Sequence, residues 1–307
     1  MATTQLYDET PLIHSQFIKN TYGREVFFKL EALQPTGSFK IRGIGKLCQH
    51  YKKEGVTQFV ASSGGNAGIA VAYAGMKLGI PATVFIPKTS HQIYVDEIKA
   101  YGAQVVVGGE VWDEAHQAAL SFAAQQQAAY IPPFDHPIIW EGHASIIHEV
   151  VANKHLRPEA IVVAVGGGGL ACGILEGMHQ VQWNDIPLIA VETIGADSFY
   201  QSVKAQKQIT LDKITSKATS LGAKQIATQL FKWHFKHPIK NVLVSDADAE
   251  EGCRAFARDK RILVELSAGA ALSLAYTNHS VLDDYNSVLV IVCGGINTSF
   301  FNLDADN

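Results

Sequence analysis

The run Ile161-Val162-Val163-Ala164-Val165 passes without a break into Gly166-Gly167-Gly168-Gly169 and then into Leu170-Ala171. An apolar stretch with no polar alternation reads as a strand covered on both faces, the habit of a parallel sheet clothed in helices. Four glycines between that strand and a helix leave backbone N–H groups unhindered where partial positive charge collects, which suits a phosphate. A plain tight turn needs fewer glycines. The same run can be written Gly166-x-Gly168-x-x-Ala171, with Glu192 ending the next strand, which is the dinucleotide fingerprint and keeps an NAD-binding oxidoreductase open as a second reading.

Around this feature, short β-branched runs alternate with longer helical ones. Strands are expected at Val26–Leu30, Gln58–Ala61, Ala82–Ile86, Gln104–Val107, Ile161–Val165, Leu188–Val191, Asn241–Val244 and Ser287–Val292. Helices are expected at Ser38–Lys53, Asn66–Leu78, Ser90–Tyr101, Trp112–Gln127, Ala144–Ala152, Leu170–Val181, Asp248–Arg258 and Ala268–Asn278. That alternation predicts an α/β fold. No Gly/Ser linker divides the 307 residues, so two domains would have to be discontinuous, with a hinge in the Pro-rich stretch Ile131–Pro137. Hydrophobic residues at 47% and charged residues at 18% supply a core and argue against disorder. A net charge of −4 with no Lys/Arg block gives no footprint for nucleic acid. No apolar stretch approaches a membrane span, and Met1–Gln16 carries Asp8 and Glu9 without the pattern of a secretory leader, so the expectation is a cytoplasmic chain. Cys48, Cys172, Cys253 and Cys293 are scattered with no CxxC pair, which argues against disulfides and zinc.

Three further motifs carry chemistry. In Gln34-Pro35-Thr36-Gly37-Ser38-Phe39-Lys40, Ser38 can be read as a helix cap and Lys40 as a surface lysine. A cation in the first helical turn opposes the macrodipole, however, and makes more sense if the amine is neutral or covalently used. Ser62-Ser63-Gly64-Gly65-Asn66 lies between a strand and an Ala-rich helix. Asn66 alone would serve as a cap, whereas two hydroxyls, an amide and open backbone suit a carboxylate. Finally, Val292-Cys293-Gly294-Gly295 ends the last strand. A buried cysteine is usually a small core residue, but ligands in open α/β sheets sit at the carboxyl ends of strands.

In this order, these motifs resemble the fold-type-II pyridoxal-phosphate (PLP) enzymes, and within them the short, Cys-type L-serine/L-threonine dehydratases; the likeness runs from about Thr10 to Thr298. The resemblance implies two open, mostly parallel twisted sheets with helices on both faces, as in tryptophan synthase β. It implies a large domain of residues 1–40 and 136–307, a small inserted domain of residues 41–135, and a cofactor in the cleft between them. Lys40 would form the Schiff base and later move the α-proton, Phe39 would pack on the ring, and Asn66 would bond the ring hydroxyl. The Gly166, Gly167, Gly168, Gly169 and Leu170 backbone would hold the phosphate, and Cys293 would face the pyridine nitrogen. Ser62, Ser63, Gly64 and Asn66 would meet the substrate, with Ser63 on its carboxylate as the second catalytic residue. A monovalent cation, K⁺ by analogy, would sit among Gly166, Glu192, Ala196, Ser198, Leu221 and Ala223. Ser220 departs from the resemblance, because relatives usually have alanine there against the ring.

The implied activity is β-elimination of L-serine, and of L-threonine, to pyruvate or 2-oxobutanoate and ammonia, in a homodimer. Other fold-type-II activities, a serine racemase or a cysteine synthase-like enzyme, stay open, as does an amino-acid sensor on the same scaffold. Gly64 has no group to move a proton, which disfavours racemisation, and is expected to leave room beside the substrate for a methyl group. About ten residues follow Asn297, so the expectation is a catabolic enzyme without the C-terminal regulatory domain of longer threonine deaminases.

Overall fold

The computed structural model describes residues 5–152 and 156–301. Its strands are β1 (Leu12–His14), β2 (Glu25–Leu30), β3 (Phe59–Ala61), β4 (Ala82–Ile86), β5 (Gln104–Val107), β6 (Ala129–Tyr130), β7 (Ala160–Ala164), β8 (Leu188–Thr193), β9 (Ile239–Val244) and β10 (Ser287–Val292). Its helices are α1 (Gln16–Tyr22), α2 (Lys40–Lys53), α3 (Asn66–Leu78), α4 (Gln92–Ala100), α5 (Trp112–Gln126), α6 (Pro137–Ala152), α7 (Gly169–Gln180), α8 (Ser198–Ala205), α9 (Thr228–His234), α10 (Asp246–Lys260) and α11 (Leu266–Tyr276). The chain forms two compact units. One comprises the chain up to Asp8 together with Gln34–His143, and the other comprises Glu9–Leu33 and the chain from Ala144 on. Against the expected junctions after 40 and 135, residues 34–40 and 136–143 fall in the smaller unit.

In the smaller unit, four parallel strands run in the order β5-β4-β3-β6. Ala115, Ala119 and Ala123 recur every four residues along α5, so they form one stripe, and that stripe packs on Val60 and Phe85 with Phe122 and Tyr130 at its margin. The larger unit holds six strands in the order β1-β2-β10-β7-β8-β9, all parallel except β1. Its central strands β7, β8 and β10 are buried almost end to end, as their unbroken apolar runs require. The buried Lys29 of β2 donates to the Thr10 carbonyl at 2.6 Å and pairs with Glu149, so its charge is not left alone in the interior.

Two strands and three helices were not expected from the sequence. β1 is an antiparallel edge strand of three residues and β6 has two, both too short for a period to show. Helices α1, α8 and α9 span only seven or eight residues. The Pro-rich stretch read as a hinge ends instead in the first position of α6, where proline's fixed φ and missing N–H cost a helix nothing.

Helices α10 and α11 meet backbone to backbone: a Cβ on Gly252 would come within 2.3 Å of the Gly269 carbonyl oxygen, and one on Gly269 within 2.1 Å of the Ala249 oxygen. Gly252→Ala therefore forces the pair apart. We expect it to cost about 1–3 kcal/mol, read as a lower denaturation midpoint with an unchanged slope.

Candidate active site

In the smaller unit, Lys40 is the first residue of α2, and the residue before it, Phe39, occupies the cap position without a side-chain cap. Ser38 is therefore not the cap that its position suggested. Its hydroxyl is buried with no hydrogen-bond partner among the described residues. The Lys40 amine donates to the Pro133 carbonyl at 2.7 Å and lies 5.1 Å from the centroid of the Phe39 ring. His143 stands edge-on to Phe39 with centroids 4.9 Å apart. It is fully buried, and neither ring nitrogen has a hydrogen-bond partner among the described residues. Burial, reinforced by the Lys40 and Arg42 cations, holds its pKa well below the ordinary histidine value, so the ring is neutral.

The Ser62–Asn66 loop leaves the carboxyl end of β3 and enters α3. Gly65 is the cap and Asn66, buried, is the first helical residue, so Asn66 does not cap the helix. The loop folds closely over the helix: a Cβ on Gly68 would come within 2.0 Å of the Ser63 carbonyl oxygen. Space beside Gly64 is also filled, since a Cβ there would meet Ser90 Oγ at 2.5 Å and Ile86 Cγ2 at 2.9 Å. The expected room for a substrate methyl group is not found in that direction, because Ile86 and Ser90 already occupy it.

Sequence reading missed the partners of Ser62. Its hydroxyl is fully buried, 2.7 Å from Tyr130 Oη and 3.2 Å from His116 Nδ1, and those two atoms are 3.0 Å apart. Parallel pairing sets Val60 opposite Tyr130, which brings the ends of β3 and β6 together. His116 reaches in from α5 with its ring stacked on Trp112 at 4.7 Å, and burial lowers its pKa. Nothing in the local sequence links positions 62, 116 and 130.

In the larger unit, Gly169 opens α7 and Gly168 caps it in the left-handed region at φ 89°. Helix geometry leaves the Gly169, Leu170 and Ala171 amides without an intrahelical carbonyl, so the glycine run ends in anion donors. A Cβ on Gly166 would lie 2.9 Å from Leu221 Cα, and one on Gly168 would lie 2.7 Å from Leu230 Cδ2. Glu192, the penultimate residue of β8, is fully buried, and its two carboxylate oxygens accept the Phe199 amide at 2.8 Å and the Tyr200 amide at 2.7 Å. Burial pushes its pKa up to about 8, against the pull of those two amides. The carboxylate is thus committed to the N-terminus of α8, which is not how a dinucleotide fingerprint uses its acidic residue on a ribose. Ser198 donates to the Ala223 carbonyl at 2.9 Å, and Ala196 N to the Thr193 carbonyl at 2.9 Å. Cys293, buried just past β10, lies 3.7 Å from Ser267 Oγ. All four cysteines are buried, and none of them is in a disulfide.

Residues 3–294 match the family described as pyridoxal-phosphate dependent enzyme. The chain belongs to this family. It is 44% identical over 314 residues to the L-serine dehydratase/L-threonine deaminase of Bos taurus, covering 99% of this chain and 96% of that one. It is 41% identical to the L-serine dehydratase of Dictyostelium discoideum, covering 97% and 91%. Among solved structures, a fungal L-serine ammonia-lyase from Rhizomucor miehei superposes with a TM-score of 0.92 at 37% identity, covering 97% of each chain.

The residues of each unit fit pyridoxal phosphate chemically. The α7 amides supply donors for a phosphate, and bulk at Gly166 or Gly168 would collide with Leu221 or Leu230. On the other unit, a lysine beside an aromatic ring and a buried, unsatisfied serine hydroxyl suit an aldehyde-bearing ring. Tyr130→Phe keeps the ring that packs beside α5 and removes only the hydroxyl shared by Ser62 and His116. It should cost about 1–3 kcal/mol in chemical denaturation.

Proposed function

We propose that this chain catalyses PLP-dependent β-elimination of L-serine, and of L-threonine, releasing pyruvate or 2-oxobutanoate and ammonia. The observation that carries this reading is the 44% identity spanning nearly the whole of both chains with a protein of that dual name. The motifs found independently in the sequence lie at strand ends and helix starts, where such chemistry needs them. When bound, the cofactor supplies the electron sink that stabilises negative charge at the substrate α-carbon.

The protein's own share is orientation and proton movement. Lys40 holds the cofactor and then, as a neutral amine, takes the α-proton; the neutral His143 beside it adds no second positive charge to the pocket around Phe39. Phe39 packs against the ring and Asn66 bonds its hydroxyl. Gly166 to Leu170 hold the phosphate through their backbone. Cys293 faces the ring nitrogen. Ser62, Ser63, Gly64 and Asn66 line the substrate, with Ser63 and the loop amides at the start of α3 on its carboxylate. Gly64 carries no group able to return a proton from the opposite face, and Ile86 and Ser90 leave a serine there no space, so retention of the α-centre's chemistry as elimination is favoured over racemisation. A monovalent cation, K⁺ by this reading, is held by Gly166, Glu192, Ala196, Ser198, Leu221 and Ala223. We place the enzyme in the cytoplasm as a homodimer; among the described residues no helix is long and apolar enough to cross a membrane.

Purified protein given L-serine or L-threonine should release equal amounts of 2-oxo acid and ammonia, and no D-serine. Lys40→Ala should lower that rate on the order of 10³-fold while leaving the fold intact by circular dichroism. Absence of 2-oxo acid from both substrates in cofactor-loaded protein would overturn the assignment. The cation is tested separately. Because burial raises the Glu192 pKa to about 8, the folded state holds that proton more tightly than the unfolded chain, so stability falls as pH rises toward 8 and is level above it. A cation favours ionised Glu192, so K⁺ should raise Tm more at about pH 9 than at about pH 6. Glu192→Gln should abolish that difference; an equal K⁺ effect at both pH values would count against the site.

A further inference from the structure

Helix α5 covers the face of the smaller sheet toward which Ser62 points. Residues two apart along a strand share a face, so Ser62, just past β3, follows Val60, and parallel pairing sets Tyr130 opposite Val60. The alanine stripe of α5 packs on Val60, and His116, next to Ala115 in that stripe, reaches the Ser62 hydroxyl. The imidazole lies flat on Trp112, one helical turn earlier, with centroids 4.7 Å apart and planes 9° from parallel. Burial keeps it neutral against the pull of the Asp113 carboxylate. Ser62 itself has no exposed surface, whereas Ser63, Gly64 and Gly65 beyond it are partly exposed.

The hydrogens of this cluster can be counted. Ser62 Oγ, Tyr130 Oη and His116 Nδ1 form a triangle with sides of 2.7, 3.0 and 3.2 Å. The two hydroxyls bring one hydrogen each. If Nδ1 carried a third, one hydroxyl hydrogen would have no acceptor among the described residues, because the Ser62–Tyr130 contact holds only one. With Nδ1 bare, both are used along the two shorter sides: Ser62 donates to Tyr130, and Tyr130 donates to His116. The neutral imidazole then carries its hydrogen on Nε2.

We propose that Tyr130 and His116 are positioning residues for the carboxylate loop: acting through Ser62, they clamp the turn from Ser63 to Gly65 in the shape that receives the substrate carboxylate. A turn with two glycines can take many shapes, and one already held in its bound shape loses less freedom on binding. Its far end is fixed by the close approach of Gly68 to the Ser63 carbonyl, and its near end by Ser62. Ser62 thus serves the substrate from behind the loop, while Ser63 and the loop amides make the contact. The clamp belongs to the smaller unit alone; its effect on the substrate rests on this loop being the carboxylate site.

Nitrogen-15 spectra of histidine-labelled protein read the tautomer, with the His116 signals assigned by their loss in His116→Phe. Nδ1 should carry no hydrogen, with or without pyridoxal phosphate; a neutral ring protonated at Nδ1 overturns the clamp. His116→Phe keeps a ring on Trp112 and removes the acceptor. Amide order parameters of Ser63, Gly64 and Gly65 should then fall from the rigid value of about 0.85 toward about 0.6, while those inside α3 stay level. His116→Asn, whose side-chain oxygen takes the place of Nδ1, should restore them. A loop unmoved by His116→Phe, or an asparagine variant that behaves like the phenylalanine one, overturns the clamp. In cofactor-loaded protein, His116→Phe should raise KM for L-serine about 2- to 10-fold, the worth of one hydrogen bond, with kcat changed by less than about twofold. A loosened loop with an unchanged KM overturns the effect on the substrate. Failure of the β-elimination reading looks different, since protein that releases no 2-oxo acid would still show the tautomer and the ordered loop.

Discussion

Parallel strand pairing is the constraint from which the candidate site follows. In a parallel ladder every strand ends on the same edge, so a residue placed just past a strand is gathered with its counterparts whatever their distance in sequence. In the larger unit, β2, β10, β7, β8 and β9 are all parallel, with Val292 opposite Leu30 and Ala164 opposite Val191. That register sets the glycine run, Glu192 and Cys293 along one edge. In the smaller unit the same rule sets the Ser62 loop beside Tyr130.

Close backbone approach is the second determinant. At Gly166, Gly68 and Gly295 a single methyl group would meet backbone or carboxyl atoms at 2.9 Å or less, so these glycines are fixed by what lies against them. Buried polar groups occupy the spaces this leaves. Glu192 is held by two amides and Glu265 by two hydroxyls, and each carboxyl group sits at a helix start where the aligned peptide dipoles oppose the cost of burial, which at Glu192 still wins.

Much of the framework is legible from the chain alone. Strands such as Ala82–Ile86 and Ser287–Val292 are long, apolar and bounded by proline, glycine or polar residues, and they form where the pattern puts them. Elements of two or three residues escape, because a period cannot be read from them, and α6 begins seven residues earlier than expected because its first turn is built on Pro137. Among site residues, glycine runs and a lysine at a helix start announce themselves through local chemistry. His116, Tyr130 and His143 do not: each is an ordinary residue within an ordinary helix or strand, and the Ser62 hydroxyl or Phe39 ring it meets comes from a different element.

The sequence by itself determined the α/β class, most strands, the motifs and their order, since these depend on local periodicity and on residues whose backbone freedom or chemistry is distinctive. Only the tertiary structure decided which polar groups share a proton. Whether Ser62 finds Tyr130 and His116, and whether space beside Gly64 is open or filled by Ile86 and Ser90, are both set by contacts between segments distant in the chain. Hydrogen bonds and steric exclusion act over a few ångströms, and only folding brings those atoms within that range.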